Sequence, residues 1–344
     1  MARDPFIHKQ DATKKMGIFP LTKLVACFRY LCYGSAFDSL DENLQIGEST
    51  LEPIVKQFCR LVVEIFGPQY LNREPNATEK AALLEHNERR GFPGLLASWD
   101  CKHFNWKNCP MRLAGQHSGH AQGNTLILEA IADHRKYFWS VNFGDPGSLN
   151  DINVLDKSPI VGSLLRGKLD IKVEPYNING KERDWMYFLV DGIYPDWAIF
   201  VTTYTKPTEK DKKVFAREQE KVRKDIECAF GILVQRFHIL QRPLRQWYLE
   251  DLKCLLKCCI IIHNMVVDVR SGQLTEVEAN DLLIATAGFP LFGKRQITPV
   301  QAFNEGVDLF AARSSAFDHG MQNTWEHFLL KQDLVAHINA LNNN

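Results

Sequence analysis

Three carboxylates stand at positions from which they could do chemistry together. Asp191 comes directly after an apolar run of β-forming residues, and Asp100 lies inside another such run. Glu227 lies beside an apolar stripe on a predicted helix, so the helix can pack on a sheet while this carboxylate reaches its rim. Converging carboxylates repel each other unless cations lie between them, and Mg²⁺ and Mn²⁺ prefer such oxygen ligands. Two divalent ions about 3.5–4 Å apart can clamp an in-line phosphoryl displacement, which is the chemistry that this set predicts.

Other acids compete for a place in this set. A single carboxylate at a strand end is most often structural or solvated, and only the ordered set of three favours metal binding. Asp151 follows Ser148 at capping-box spacing, which predicts a structural place in the first turn of a helix, with catalytic support as the alternative. Glu220 shares the helix face of Glu227, whereas Asp225 points away from it and is predicted to be solvated.

A run of basic residues leads directly into the segment that carries Glu227. Its members are Lys206, Lys210, Lys212, Lys213, Arg217, Lys221, Arg223 and Lys224. Such a run is usually a solvated face, but beside a phosphate-cutting site it would also bind backbone phosphates and release counterions. Arg223 lies one turn before Glu227 and could orient it or contact a phosphate, so Arg223 and Asp151 are candidate supporting residues.

Composition limits the class of protein. The chain has 344 residues, of which 45% are hydrophobic, enough for one large domain or a main domain with a smaller one attached. Basic and acidic residues number 41 each, so net charge argues neither for nor against nucleic acid. Nine cysteines at irregular spacing and a polar beginning predict a reduced, intracellular protein. The most apolar long stretch is too short and too punctuated by polar residues for a membrane span, so we expect no membrane partner.

Helices must occupy the N-terminal part of the chain. Over residues 20–70 the pattern predicts a short helix, a brief connection and a longer helix that opens with a capping box at Ser49 and Glu52. This is a helix-turn-helix-like layout, in which Lys56 and Arg60 would lie on a thin, outward basic face. A helical bundle that packs on the main domain fits the same pattern.

Strands begin at about residue 95. The first carries Asp100, and a short polar turn joins the next two as a hairpin. A turn and a helix follow, then the strand that ends at Asp191, and then two long helices. This order predicts an α+β fold with a mixed sheet and helices on its faces. We predict a helix-turn-helix-like region over 1–90, a catalytic core over 91–270 and a helical C-terminal tail over 271–344.

The chain also carries a series of specific motifs, which are "GFPGLLASWDCKHFNWKNCP", "GHAQGNTLILEAIADH", "GDPGSLNDINVLDKSPI", "YFLVDGIYPDWAIFV", "AREQEKVRKDIECAFGILVQRF" and "CCIIIHNMVV". In this order they resemble the motifs of the Harbinger-type DDE transposases, in particular the plant transposon protein branch. The resemblance implies an RNase H-like core that cuts DNA with two divalent metal ions, Mg²⁺ or Mn²⁺. The acids of the family fall on Asp100, Asp191 and Glu227. Trp99 departs from the family pattern, in which small residues often precede the first acid.

Cysteines and histidines give weaker signals. The set near the first acid matches no standard spacing of zinc ligands, and it comprises Cys101, His103, Cys109, His117 and His120. We predict packing for Cys101 and polar or DNA-facing roles for these histidines. A second set lies at helical spacing in an apolar segment, which predicts buried thiols and a hydrogen-bonded histidine, and it comprises Cys254, Cys258, Cys259 and His263.

The resemblance further implies partners and a location. We expect DNA at the terminal repeats of a mobile element, a separate Myb-like protein that supplies much of the sequence-specific binding, a homodimer as a candidate assembly, and a nuclear location. A domesticated DNA- or chromatin-binding protein that no longer cuts is the alternative, although no acid of the set is lost. A hydrolase of small phosphoesters fits the acids but not the basic run beside them. We therefore favour a transposase or transposase-derived nuclease.

Overall fold

The computed structural model describes residues 6–10, 13–119, 123–166, 170–272 and 323–343. The described helices are α1 (Pro20–Tyr33), α2 (Phe37–Leu44), α3 (Glu48–Tyr70), α4 (Ala77–Arg89), α5 (Met111–His117), α6 (Asp151–Lys157), α7 (Pro159–Leu165), α8 (Lys210–Arg236), α9 (Leu249–Arg270) and α10 (Thr324–Asn343). The described strands are β1 (Leu95–Asn105), β2 (Thr125–Ala132), β3 (Phe138–Pro146), β4 (Lys172–Ile178), β5 (Lys181–Trp185), β6 (Tyr187–Val190) and β7 (Phe200–Thr202). The predicted sequence of helices, hairpin and long helices is therefore confirmed.

Five strands form one mixed sheet in the order β3-β2-β1-β6-β7. The first three strands of the chain are antiparallel neighbours, whereas β6 lies parallel to β1 and β7 parallel to β6. Every residue of β2 and of β6 is buried, because other elements cover both faces of the sheet. The predicted α+β fold with a mixed sheet is confirmed.

Apolar side chains pack on both faces of this sheet. One core joins Leu189 and Val201 of the sheet to Val222 of α8 and Leu334 of α10. A larger core takes the opposite face, where Phe188 and its neighbours pack, and it extends through α9 to the N-terminal helices. Side chains alternate between the two cores along β6, as the pleat of a strand requires.

The N-terminal helices pack against the rest of the molecule. α3 lies along α9, and Lys56 and Arg60 both pair with Asp251 of α9, at 3.2 and 3.3 Å. The predicted basic face is thus turned towards another helix and partly neutralised. This packing agrees with the helical-bundle alternative, and a helix-turn-helix-like arrangement is not confirmed.

Helix capping differs from the prediction. The capping box at Ser49 is wrong, because α3 begins at Glu48 and Gly47 is its N-cap, so Ser49 already lies inside the first turn. A capping box forms instead at α4. There Asn76 Oδ1 accepts from the amide of Glu79, and the Glu79 carboxylate accepts from the amide of Asn76, both at 2.9 Å.

The β4–β5 hairpin and β7 were missed by sequence reasoning. Asn179 and Gly180 form the hairpin turn, with φ values of 52° and 78°. Two central residues at positive φ make the turn that Asn-Gly favours most strongly, so the dipeptide was an available signal. β7 is only three residues long, too short for a period of two to show.

The last helix closes one side of the molecule. In α10, the Lys331 ammonium donates to Thr202 Oγ1 of β7 at 2.8 Å, and Asp333 accepts from Arg183 of β5 at 2.7 Å.

No helix in the described part of the chain is long and apolar enough to cross a membrane. The nine cysteines all lie among the described residues and are free thiols. The domain boundaries near residues 90 and 270 stay predictions.

Candidate active site

Asp100 and Asp191 come from neighbouring strands of the sheet. β1 and β6 are parallel and Ser98 pairs with Leu189, so two residues further along each strand come Asp100 and Asp191. A step of two keeps the side chain on the same sheet face, and Leu189 packs on the face that α8 covers. Because β6 ends at Val190, Asp191 already belongs to the turn, where its Oδ1 accepts from the amide of Gly192 at 2.7 Å.

Asp100 is largely enclosed and is held by two hydrogen bonds. Its side chain is 17% exposed, its Oδ1 accepts from the amide of Cys101 at 2.8 Å, and its Oδ2 accepts from Arg223 at 2.9 Å. Burial raises the pKa of Asp100 to about 6, while the Cys101 amide and Arg223 lower it and the charges of Asp151 and Asp191 raise it further. The three aspartates therefore share one electrostatic environment.

Glu227 faces this environment from α8. Its side chain is 47% exposed, and its Oε1 lies 2.9 Å from Nη2 of Arg223, one turn earlier. The other terminal nitrogen of Arg223, Nη1, is the one that binds Asp100. One guanidinium thus bridges two of the three predicted acids, one on the sheet and one on the helix.

Asp151 lies near enough to Asp100 and Asp191 to interact with their charges. The predicted cap at Ser148 is wrong: Asn150 is the N-cap of α6, and its side chain accepts from the amide of Asn153 at 2.8 Å. Burial raises the pKa of Asp151, with His103 lowering it and the charge of Asp191 raising it. Asp151 is therefore in the first helical turn, as predicted, and also within electrostatic reach of the site.

The rival acids on α8 lie in different surroundings. Asp225 is not solvated as predicted, because it accepts from Arg90 at 2.5 Å and from Lys136 at 2.6 Å and its side chain is largely buried. Both partners are distant in sequence, so helix geometry could not reveal them. Glu220 is exposed, on the face that it shares with Glu227.

No three His, Cys, Asp or Glu side chains in the described part of the chain converge closely enough to hold a metal ion. The donor chemistry nevertheless suits a hard divalent cation, since the charge of Asp191 raises the pKa of both Asp100 and Asp151, and a cation would relieve that repulsion. The Arg223 guanidinium stands between Asp100 and Glu227 and contacts both carboxylates.

The basic run forms an exposed stripe on α8. Spacings of three and four residues place most of its members on one side of the helix, and these are Lys210, Lys213, Arg217, Lys221 and Lys224. Lys212 lies on another side, 2.7 Å from Glu209 and near the ring of Tyr204. Lys206 precedes the helix. Arg217 and Lys221 each contact Glu218, at 3.0 and 3.5 Å.

Glu129 was missed by sequence reasoning. It stands in the middle of β2, opposite Cys101, and is only 3% exposed. Its Oε1 accepts from Trp99 Nε1 at 3.1 Å, and burial raises its pKa to about 8. The signal was a glutamate inside an otherwise apolar strand.

Trp99, the residue that departs from the family pattern, is fully buried, with its ring packed edge-on against the rings of Phe188 and Phe200. The core therefore accommodates its bulk.

The histidine predictions have mixed outcomes. His103 Nδ1 lies 3.0 Å from Thr125 Oγ1 and the residue is exposed. His117 is buried with its Nδ1 3.0 Å from the carbonyl oxygen of Thr125, so of the two predicted roles it has the polar one and not the DNA-facing one. His120 lies outside the described residues. His263 is buried with its Nε2 2.8 Å from the carbonyl of Lys136, which confirms the predicted hydrogen-bonded histidine.

Comparisons with known proteins agree with the sequence motifs. The family described as "Plant transposon protein" matches residues 68–273. A protein of Arabidopsis thaliana named "Protein ALP1-like" is 22% identical over 262 residues, which cover 74% of this chain and 62% of that protein. The chain thus spans about three-fifths of the length of this relative. No solved structure is significantly similar.

Proposed function

The chain belongs to the plant transposon protein family, and on this premise we propose that it is a transposase or transposase-derived nuclease that cuts DNA phosphodiester bonds. The observation that carries the proposal is the register of β1 and β6, which sets Asp100 beside Asp191 on the sheet face covered by the helix of Glu227. The mixed sheet with helices on its faces is compatible with an RNase H-like core.

In this proposal Asp100, Asp191 and Glu227 would hold Mg²⁺ or Mn²⁺, with Asp151 in support. The ions would supply activation of the attacking oxygen and stabilisation of the leaving oxygen. Asp100 contributes a largely buried, firmly held carboxylate, and Asp191 one fixed by the turn that follows β6. Glu227 contributes an exposed carboxylate that can approach or leave with its side-chain torsions.

The basic stripe of α8 would hold the DNA backbone. It runs along the exposed side of the helix towards Glu227, so phosphates bound there would be led to the acids. Terminal repeats of a mobile element as the DNA, a Myb-like protein as partner, a homodimer and a nuclear location are further proposals, and they rest on the family resemblance.

Nicking of a terminal-repeat duplex in Mn²⁺ tests the function, measured beside DNA binding. Asp191→Asn and Glu227→Gln should abolish nicking and leave binding intact or slightly tighter, because a negative charge near the phosphates is removed. Glu220→Gln is the matched control, since it removes the same charge from the same helix face and should still nick. Nicking by Glu227→Gln at the wild-type rate would refute the assignment of the third acid.

A non-cutting DNA- or chromatin-binding protein is the second candidate. The Arg223 bridge favours it, because a guanidinium can neutralise the acids without any metal ion. Wild-type protein that binds DNA but never nicks it in any divalent ion, with the partner protein present, would establish this alternative.

A further inference from the structure

Arg223 occupies a special position among the cations of α8. Its side chain is only 16% exposed, whereas its neighbours Lys221 and Lys224 are exposed to solvent. Each terminal nitrogen binds a different carboxylate at 2.9 Å, Asp100 on β1 and Glu227 on α8. Its Nε is buried and has no hydrogen-bond partner among the described residues. Arg223 therefore belongs to the acid cluster and not to the exposed stripe.

This position makes Arg223 a competitor of any metal ion that uses these acids. The guanidinium carries the same sign of charge as the ion, and it takes one oxygen of each of two proposed ligands. Charge-assisted hydrogen bonds of this kind are about twice as strong as neutral ones, and the low exposure of Asp100 limits screening by solvent. A metal ion can collect both carboxylates only after the guanidinium has released at least one of them.

DNA provides a natural alternative partner for the released side chain. A guanidinium matches the geometry of a phosphate through two parallel hydrogen bonds, and the unpartnered Nε is a further donor for it. The exposed stripe brings backbone phosphates to the same helix, because Lys224 is the next residue and Lys221 precedes it by two. A rotation of the Arg223 side chain could then exchange a carboxylate for a phosphate.

We propose that Arg223 is a built-in counter-ion of the acid cluster, which keeps the affinity for divalent metal low until a DNA phosphate draws the guanidinium away. The inference rests on the proposed metal-binding function of these acids. With this counter-ion in place, the protein would bind metal mainly when DNA is bound. By linkage, metal would strengthen DNA binding by the same factor.

The decisive measurement is Mn²⁺ binding to the whole chain without DNA, by titration calorimetry. Arg223→Gln should bind Mn²⁺ about tenfold more tightly than wild type, since two charge-assisted hydrogen bonds no longer compete. Lys253→Gln is the control, because it removes a side-chain charge that pairs with Glu250 on α9, 2.9 Å away and outside both the acid cluster and the basic run, and its affinity should stay close to wild type. An affinity of Arg223→Gln no higher than that of Lys253→Gln would overturn the proposal.

Asp100→Asn separates this proposal from the proposed function. If it binds Mn²⁺ as wild type does, the ion binds elsewhere and the assignment of the metal ligands fails. If it loses binding while Arg223→Gln gains none, only the counter-ion role fails. Should Arg223→Gln not fold by circular dichroism, Arg223→Lys takes its place. A lysine reaches one carboxylate at a time, so Mn²⁺ affinity should rise about threefold, and no rise would be the refuting result.

A second titration tests the link to DNA. A short duplex at saturating concentration should raise the Mn²⁺ affinity of wild type more than that of Arg223→Gln, because the variant has no guanidinium to release. DNA phosphates attract cations in both proteins, so the difference between them isolates Arg223. Equal enhancement in the two proteins would overturn the coupling.

Discussion

At the scale of single residues, the acids of the candidate site are held by different means. Asp100 is enclosed and bonded to Arg223, Asp191 is fixed by a turn, and Glu227 is half exposed on a helix. Glu129 lies on the neighbouring strand β2, and burial is the main cause of its raised pKa. Each environment sets a different cost for carrying negative charge.

Glu129 should make stability depend on pH. The native protein keeps this proton up to about pH 8, while the unfolded chain releases it near the ordinary value of 4.5. The native state therefore loses stability as pH rises from about 4.5 to above 8. Glu129→Gln keeps an acceptor for Trp99 and should be more stable than wild type by about 4 kcal/mol at pH 8, with little difference at pH 4.5.

Urea denaturation at both pH values measures this effect. Glu174→Gln, an exposed change on the β4–β5 hairpin, is the control for loss of a surface carboxylate. A wild type and a Glu129→Gln variant with parallel pH profiles would show that Glu129 is already ionised in the native protein.

At the scale of elements, α8 has two different sides. Val222 and Ile226 face the packed core, while the stripe of Lys213, Arg217, Lys221 and neighbours faces solvent. The helix is long enough to pack on the sheet and still present a continuous charged side, so in the proposed function one element would both position Glu227 and guide phosphates towards it.

The stripe should bind DNA through phosphates alone. Replacing Lys213, Arg217, Lys221 and Lys224 by Ala should weaken binding to all sequences alike, and should lower the log–log salt slope by about 0.9 per lost contact on duplex DNA. Fluorescence anisotropy over a salt series measures both quantities. Lys172→Ala, an exposed change on the β4–β5 hairpin and outside the basic run, should behave like wild type. A quadruple variant with an unchanged slope would mean that DNA binds elsewhere.

At the scale of the whole molecule, α10 packs on the mixed sheet. Leu330 and Leu334 are fully buried against Leu189 and Val201, and Lys331 and Asp333 bind β7 and β5. The last described helix thus covers the sheet at its β7 side and holds the β4–β5 hairpin. The core of the molecule depends on it.

Truncation of one α10 side chain should therefore destabilise the entire fold. Leu334→Ala should reduce the free energy of unfolding by about 2–5 kcal/mol within a single cooperative transition. Leu341→Ala, at a position that is 53% exposed, should change it by less than about 0.5 kcal/mol. Urea curves from fluorescence and circular dichroism should coincide. A Leu334→Ala curve equal to wild type would show that α10 is only loosely attached.

Local patterns in the sequence were sufficient for the long helices, the first three strands and the family. Alternation predicted β1, β2 and β3, and helical spacing predicted α8 and α9, because these signals depend on neighbouring residues. The serial motifs indicated the family that the match over residues 68–273 then identified. The position of Asp191 at the end of a buried strand was also readable, since a change from apolar run to carboxylate is local.

Only the tertiary structure decided which distant residues meet. It brought β6 beside β1, and so Asp191 beside Asp100, and it gave Asp225 its partners Arg90 and Lys136. It also revealed the guanidinium of Arg223 between Asp100 and Glu227. These contacts join segments far apart in the chain, and their pairing follows from the packing of the whole core, which no local pattern of residues encodes.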